Sequence, residues 1–257
     1  MEKDFAGTLK ELKKMGYDAV EFAGLFDYSA KEVKAMCEEA GLIPISAHVG
    51  LGVIMPNVEN VIGDYAEIGC KYVAIPWASA DTDLPGSTGY DKFLKNIKTV
   101  ADECAKHGMK LLYHNHDFEF AKIDGKNKLD ILYADTTPDV LQTQVDTCWA
   151  KVGGEDPAGY VLKYAGRAPL VHIKDFVGGK SANMYELIDG GQVKADENIV
   201  PFELRPVGYG IQDVLSIFKA AEKAGAEMVI VEQDRPALNR DSLECAKLSI
   251  EYIKNIY

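Results

Sequence analysis

Apolar and polar positions along this chain repeat one phrase: an amphipathic stretch ends near a glycine, and a short apolar run follows. It occurs as MGYDAVEF from Met15, AGLIPISAH from Ala40, IGCKYVAIP from Ile68, HGMKLLYHNH from His107, AGRAPLVHIKD from Ala165 and AGAEMVIVEQD from Ala224. Glycine supplies the left-handed conformation that closes a helix, and runs of about four to six apolar residues suit strands buried on both faces. Each phrase is therefore a helix-to-strand join. LQTQVDTCW from Leu141, after Pro138, reads as a further strand, which brings the total to seven.

The segments between are amphipathic. From Ser29 to Ala40, Ser29 and Glu32 have the spacing of a capping box, and Tyr90 to His107 is a second clear helix. Strands that alternate with helices across short loops pair in parallel through right-handed crossovers, in a doubly wound sheet or a closed barrel. No glycine-rich nucleotide fingerprint follows the first strand. Polar residues end nearly every strand: Glu21, His48, Pro76 with Trp77, His114 with His116, Asp146, His172 with Lys174, and Glu232. In a barrel these ends converge on one mouth, so a TIM-type (β/α) barrel is expected. The sequence opens directly in the helix Asp4 to Met15, so the barrel's first strand is missing from the reading. Either the gene start lies further upstream, or the barrel is gapped with open edges at Tyr17–Ala23 and Met228–Gln233.

At 257 residues and 47% hydrophobic content, a single domain over residues 1–257 is the expectation. A net charge of -12, from 40 acidic and 28 basic residues, opposes binding to nucleic acid. The five cysteines form no CxxC pair and several fall in apolar patterns, which suggests buried thiols in a reducing cytoplasm. The charged N-terminus does not resemble a signal peptide, and no apolar run reaches the length of a membrane span.

The candidate chemistry centres on YHNHDFEF, Tyr113 to Phe120. The strand period of two puts His114 and His116 on one face and Tyr113 and Asn115 on the other. The segment could merely cap a strand, but two imidazoles, a carboxamide and two carboxylates are costly to bury without purpose. Glu119 lies past the strand end and either turns back to the mouth or is solvated. Asp146 shares a face with Gln142 and Gln144, unless it is only a helix cap. His172 shares a face with Lys174, whose bland reading is a salt bridge in the mouth. Glu232 closes an apolar strand, where an unpaired carboxylate is destabilising and a cation would relieve the cost. Asp146, His172, Glu232 and one member of YHNHDFEF form an oxygen and nitrogen ligand set suited to Mn²⁺, Mg²⁺, Co²⁺ or Zn²⁺.

YHNHDFEF, the Asp in QVDTCW, HIKD and VEQD, in this order, resemble the sugar phosphate isomerase/epimerase group of xylose-isomerase-like TIM barrels, from Asp4 to the C-terminus. In such proteins a metal is held by Glu, Asp, His and Glu, and the last three map onto Asp146, His172 and Glu232. His114 would take the place of the first Glu, with Glu119 as its rival, and His116 that of a catalytic base in some relatives. Gly208-Tyr209-Gly210 departs from the Gly-Glu-Gly of many relatives.

The resemblance implies isomerisation, epimerisation or dehydration of a keto-sugar, sugar phosphate or cyclitol by proton abstraction beside a metal-polarised carbonyl. His116, Glu119, Glu232 and Lys174 are the catalytic candidates, and His48, Glu21, Trp77, Arg205 and Gln233 the substrate-binding ones. Arg205 and Arg235 would neutralise a substrate anion or are ordinary surface arginines, and Gly178-Gly179-Lys180 is a weak phosphate candidate. The rival readings are a metal-dependent lyase or hydrolase on 3-keto-glycosides or C-glycosides, and a non-catalytic sugar-binding barrel. The expected partner is a small carbohydrate, without nucleic acid or membrane; a homo-oligomer stays open.

Overall fold

The computed structural model describes residues 4–180 and 200–257. The chain forms two compact units, one from the segment up to His114 together with Lys122–Thr143, the other from Asn115–Ala121 together with Gln144–Tyr257.

In the first unit the parallel strands β1 (Ala19–Phe22), β2 (Ile43–His48), β3 (Tyr72–Ile75) and β4 (Lys110–His114) lie side by side in chain order. Their centres are fully buried at Ile45, Ala47, Val73, Ala74, Ile75, Leu111 and Leu112, as expected of a parallel sheet covered by crossover helices. Helices Phe5–Met15, Ala30–Ala40, Val58–Ile68 and Tyr90–Lys106 lead into successive strands. Ser29 and Glu32 form the expected reciprocal cap, and Gly41 closes that helix at φ 74°. A two-residue hairpin joins β5 (Lys122–Ile123) to β6 (Lys126–Asn127) through Asp124 and Gly125, both at positive φ, the conformation an Asp-Gly turn favours.

β7 (Gln142–Asp146) begins in the first unit's last segment and ends in the second unit. There it pairs in parallel with β8 (Leu170–Ile173), Asp146 beside His172. β9 (Asp175–Val177) and β10 (Glu203–Arg205) form an antiparallel pair that the periodicity did not reveal. β11 (Met228–Val231) runs parallel to β8, with Ile230 beside His172, and is half-buried along its length. All seven strands expected from the glycine phrases and from LQTQVDTCW are therefore formed, and all are parallel where their pairing is described.

Gly153 ends the helix Thr147–Val152 directly against Phe120, whose ring packs edge-on against Tyr160 at 5.0 Å. A methyl group there would run into the Phe120 ring. Gly153→Ala is expected to lower the thermal unfolding midpoint by an overpacking cost of about 1–3 kcal/mol; an unchanged midpoint would show that the ring yields freely.

The five cysteines are free and buried. Burial raises the Cys70 and Cys104 thiols to about 12 and Cys37 to about 11, which leaves them inert. Among the described residues no helix is long and apolar enough to cross a membrane.

Candidate functional site

The ends of β7, β8 and β11 bring together Asp146, His172, Lys174 and Glu232. Asp146 is completely buried, and its two carboxylate oxygens have separate tasks. Oδ1 accepts from the Trp149 backbone N–H at 3.0 Å, capping the helix Thr147–Val152. Oδ2 lies 3.6 Å from Lys174 Nζ. The helix cap that the sequence poses as one alternative is thus formed, and the second oxygen is left facing the lysine.

The backbone of Asp146 is clamped as well. The Asn115 side chain accepts from its N–H at 3.0 Å and donates to its carbonyl at 3.2 Å. A carboxamide can pair with a peptide in this two-point fashion because it offers donor and acceptor side by side.

His172, also fully buried, lies next to Asp146 across the β7–β8 ladder, and its Nδ1 is 2.8 Å from Glu232 Oε2. Glu232 follows the last residue of β11, where its backbone N–H donates to the Ile173 carbonyl at 3.1 Å. Lys174, two residues beyond His172 and on the same face, is 2% exposed. Its ammonium lies 3.0 Å from Glu232 and 3.1 Å from Asp234, and sits 5.2 Å above the centre of the Trp149 ring.

Burial by itself would discharge Lys174, but Asp234, Glu232 and Asp146 more than offset that, and its pKa stays well above the ordinary lysine value. Burial pushes the Asp146 carboxyl up to about 6; Lys174 pulls it down, and the neighbouring Glu232 adds to the rise.

Asp146, His172 and Glu232 each offer a ligand atom within 4.8 Å of the others. Two carboxylates and an imidazole are donors for a divalent ion of the hard or borderline kind. The charge fits too. With histidine neutral, the carboxylates of Asp146, Glu232 and Asp234 against one ammonium leave two negative charges, which one divalent cation would neutralise. Asp234 was given no role from the sequence. Its signal was the period of two from Glu232, which sets both acids of VEQD on one face.

The remainder of YHNHDFEF is less open than its composition suggests. Glu119 is fully buried and its Oε2 accepts from the His116 backbone N–H at 2.9 Å, so the carboxylate turns back to hold its own loop. His116 stacks on Phe118 at 5.5 Å and leans on Trp149 at 5.2 Å. Lys180, the cation of the candidate phosphate loop, is paired with the buried Asp117 at 2.7 Å. Arg205 pairs with Glu203 of its own strand. The Gln233 amide donates to the Arg235 carbonyl at 2.8 Å.

Asp175 is the fixed point of the neighbouring loop. It is fully buried and accepts from the backbone N–H groups of Phe176, Gly208, Gly210 and Gln212 at 2.9–3.1 Å. Gly210 packs so tightly on Asp175 and the Phe176 carbonyl that no Cβ fits there.

In the first unit, Glu21 of β1 and His48 at the end of β2 are paired at 3.1 Å, and the His48 ring meets His114 edge-on at 4.7 Å. Trp77, just beyond β3, is half-buried. Tyr113 packs edge-on against Phe93, and its carbonyl accepts from Tyr133. The alternation expected from the strand period is visible in these opposite surroundings of Tyr113 and His114.

A family model, xylose isomerase-like TIM barrel, matches residues 9–256. An inosose dehydratase from Geobacillus kaustophilus (strain HTA426) is 24% identical over 271 residues, covering 97% of this chain and 86% of the relative. Among solved structures, a sugar phosphate isomerase/epimerase from Parabacteroides distasonis ATCC 8503 superposes with a TM-score of 0.75 at 23% identity, over 98% of this chain and 92% of the other. A xylose isomerase-like TIM barrel protein from Mycobacterium smegmatis, in complex with magnesium, gives a TM-score of 0.67 at 14% identity over 98% and 87%.

Proposed function

Starting from the fact that this chain belongs to the xylose isomerase-like TIM barrel family, we propose that it is a divalent-metal-dependent sugar isomerase, epimerase or dehydratase, acting on a keto-sugar, sugar phosphate or cyclitol. The observation that carries the reading is the trio of buried Asp146, buried His172 and part-buried Glu232, with two negative charges left over around Lys174. Asp146, His172 and Glu232 would hold the ion, with His114 as the fourth ligand by its place in the sequence pattern. When bound, Mn²⁺, Mg²⁺, Co²⁺ or Zn²⁺ supplies Lewis-acid polarisation of a substrate carbonyl. The magnesium in the Mycobacterium smegmatis relative makes Mg²⁺ a natural first ion to test.

The protein's own groups do the rest. Glu232 or His116 removes the proton beside the carbonyl, and Glu119 fixes the His116 backbone from which that ring projects. Lys174 presents positive charge where the substrate oxygen becomes negative. His48 backed by Glu21, together with Trp77, Gln233 and Arg205, provides the hydroxyl-binding groups. Return of the proton to the opposite face gives epimerisation, and return at the neighbouring carbon gives isomerisation. Loss of a β-hydroxyl as water gives dehydration, the outcome that the Geobacillus kaustophilus relative favours. The small carbohydrate is the partner, and the setting is the cytoplasm, without nucleic acid or membrane.

The test is solvent deuterium exchange by metal-loaded protein on a panel of ketoses, inososes and 3-keto-glycosides. Exchange at a carbon beside the carbonyl is expected for at least one compound, and its loss on chelation. A panel with no exchange anywhere would remove proton abstraction as the mechanism. Release of free aglycone from a 3-keto-glycoside would move the reading to the lyase class.

A further inference from the structure

Lys174 is an unusual neighbour for a divalent ion. A lysine kept solely for a substrate oxygen needs solvent or substrate access, whereas this one is 2% exposed and faces three carboxylates. Two of those carboxylates, Asp146 and Glu232, belong to the trio suited to a metal, and the third, Asp234, lies outside it. The ammonium is nearest Glu232 and Asp234, at 3.0 and 3.1 Å, with Asp146 at 3.6 Å and the Trp149 ring closing its other side. Three carboxylates gathered around one point, Asp146 fully buried and Glu232 partly so, would repel one another without a cation between them.

Resting on the metal reading above, we propose that Lys174 is a resident counter-cation: it holds the ligand carboxylates together in the metal-free protein, and it opposes the arriving divalent ion, so that the ion binds exchangeably. The ammonium acts on the ion in two ways. Its positive charge repels the metal at short range, and its grip on Glu232 Oε2 must loosen before that oxygen can turn fully to the metal. Both effects lower affinity, and the first persists after the metal is seated. Asp234 is the device's second half, because it offers the ammonium a partner that does not depend on the metal ligands.

The experiment is a Mn²⁺ titration of chelator-stripped full-length protein, followed by calorimetry, with thermal unfolding measured before and after loading. Lys174→Met is expected to bind Mn²⁺ about tenfold or more tightly than wild type, since a unit charge within a few ångströms is removed from a poorly solvated site. It should also unfold at a lower temperature without metal and gain more on loading. Lys174→Arg, which keeps the charge, should stay near wild-type affinity. Lys174→Gln keeps a donor for the carboxylates and covers the case in which the Met variant does not fold. Neutral variants that bind Mn²⁺ as wild type does, or more weakly, would overturn the inference while leaving the metal site standing. Wild-type protein that takes up none of Mn²⁺, Mg²⁺, Co²⁺ or Zn²⁺ would overturn the metal reading, and the inference with it.

Discussion

Asp146→Asn should abolish catalysis while leaving the metal-free protein folded, and at neutral pH as stable as wild type or more so. The substitution removes the charge but retains an oxygen to accept from the Trp149 N–H, so the helix cap survives. The Asn115 clamp engages only the backbone and is untouched. On the proposed metal reading, the variant loses a carboxylate ligand and the polarisation it would support, worth several kcal/mol of transition-state stabilisation, on the order of a thousandfold in kcat.

The stability side follows from the raised Asp146 carboxyl, about 6 when folded against an ordinary 3.8. A carboxyl whose pKa is higher in the folded state binds its proton more tightly there. Folding therefore loses stability as pH rises from about 4 to about 6, and the deficit is fully present above that. The difference in unfolding midpoint between metal-free wild type and Asp146→Asn should accordingly move in favour of the variant across this window. A gap that stays constant from pH 4 to 7 would contradict the assignment. Retained turnover in the variant would remove Asp146 from the mechanism.

The largest structural effect is expected from Asp175→Ala. One buried carboxylate holds four backbone N–H groups, three of them from the single turn Gly208–Gln212, and alanine leaves all four without that acceptor. Each orphaned donor costs about 1–3 kcal/mol if it stays buried, and local opening of the turn limits the sum, so roughly 3–5 kcal/mol is expected. Urea denaturation measures it. Because Gln212 also donates to the Lys174 carbonyl at 3.3 Å, opening of the turn should weaken Mn²⁺ binding as well. A variant with wild-type stability would mean that water replaces the carboxylate without loss.

The same residue shows why part of the site escaped the sequence. HIKD placed His172 and Lys174 on one face correctly, since alternation along a strand is a local property. Nothing local announces the task of the next residue, Asp175, because three of its four partners lie more than thirty positions downstream. Glu119 is the converse case. The sequence left it between a returning loop and solvent, and the turn did return, but to the backbone of His116 three residues away. Asp234 stood in plain view within VEQD, and its importance emerged only once Lys174 was seen to reach it.

What the sequence determined by itself is the alternation of helix and strand, the seven strands, the burial of their centres and the identity of the residues at their ends. These follow from periodicity and from glycine's backbone freedom, which act over a few neighbouring residues. Only the tertiary structure decided how the charges within the second unit are shared: that Asp146 divides its oxygens between a helix and a lysine, that Asn115 fixes it from outside, and that one ammonium holds three carboxylates. Electrostatic and hydrogen-bond energies depend on distances between strand ends far apart in the chain, and those distances exist only after the strands have paired.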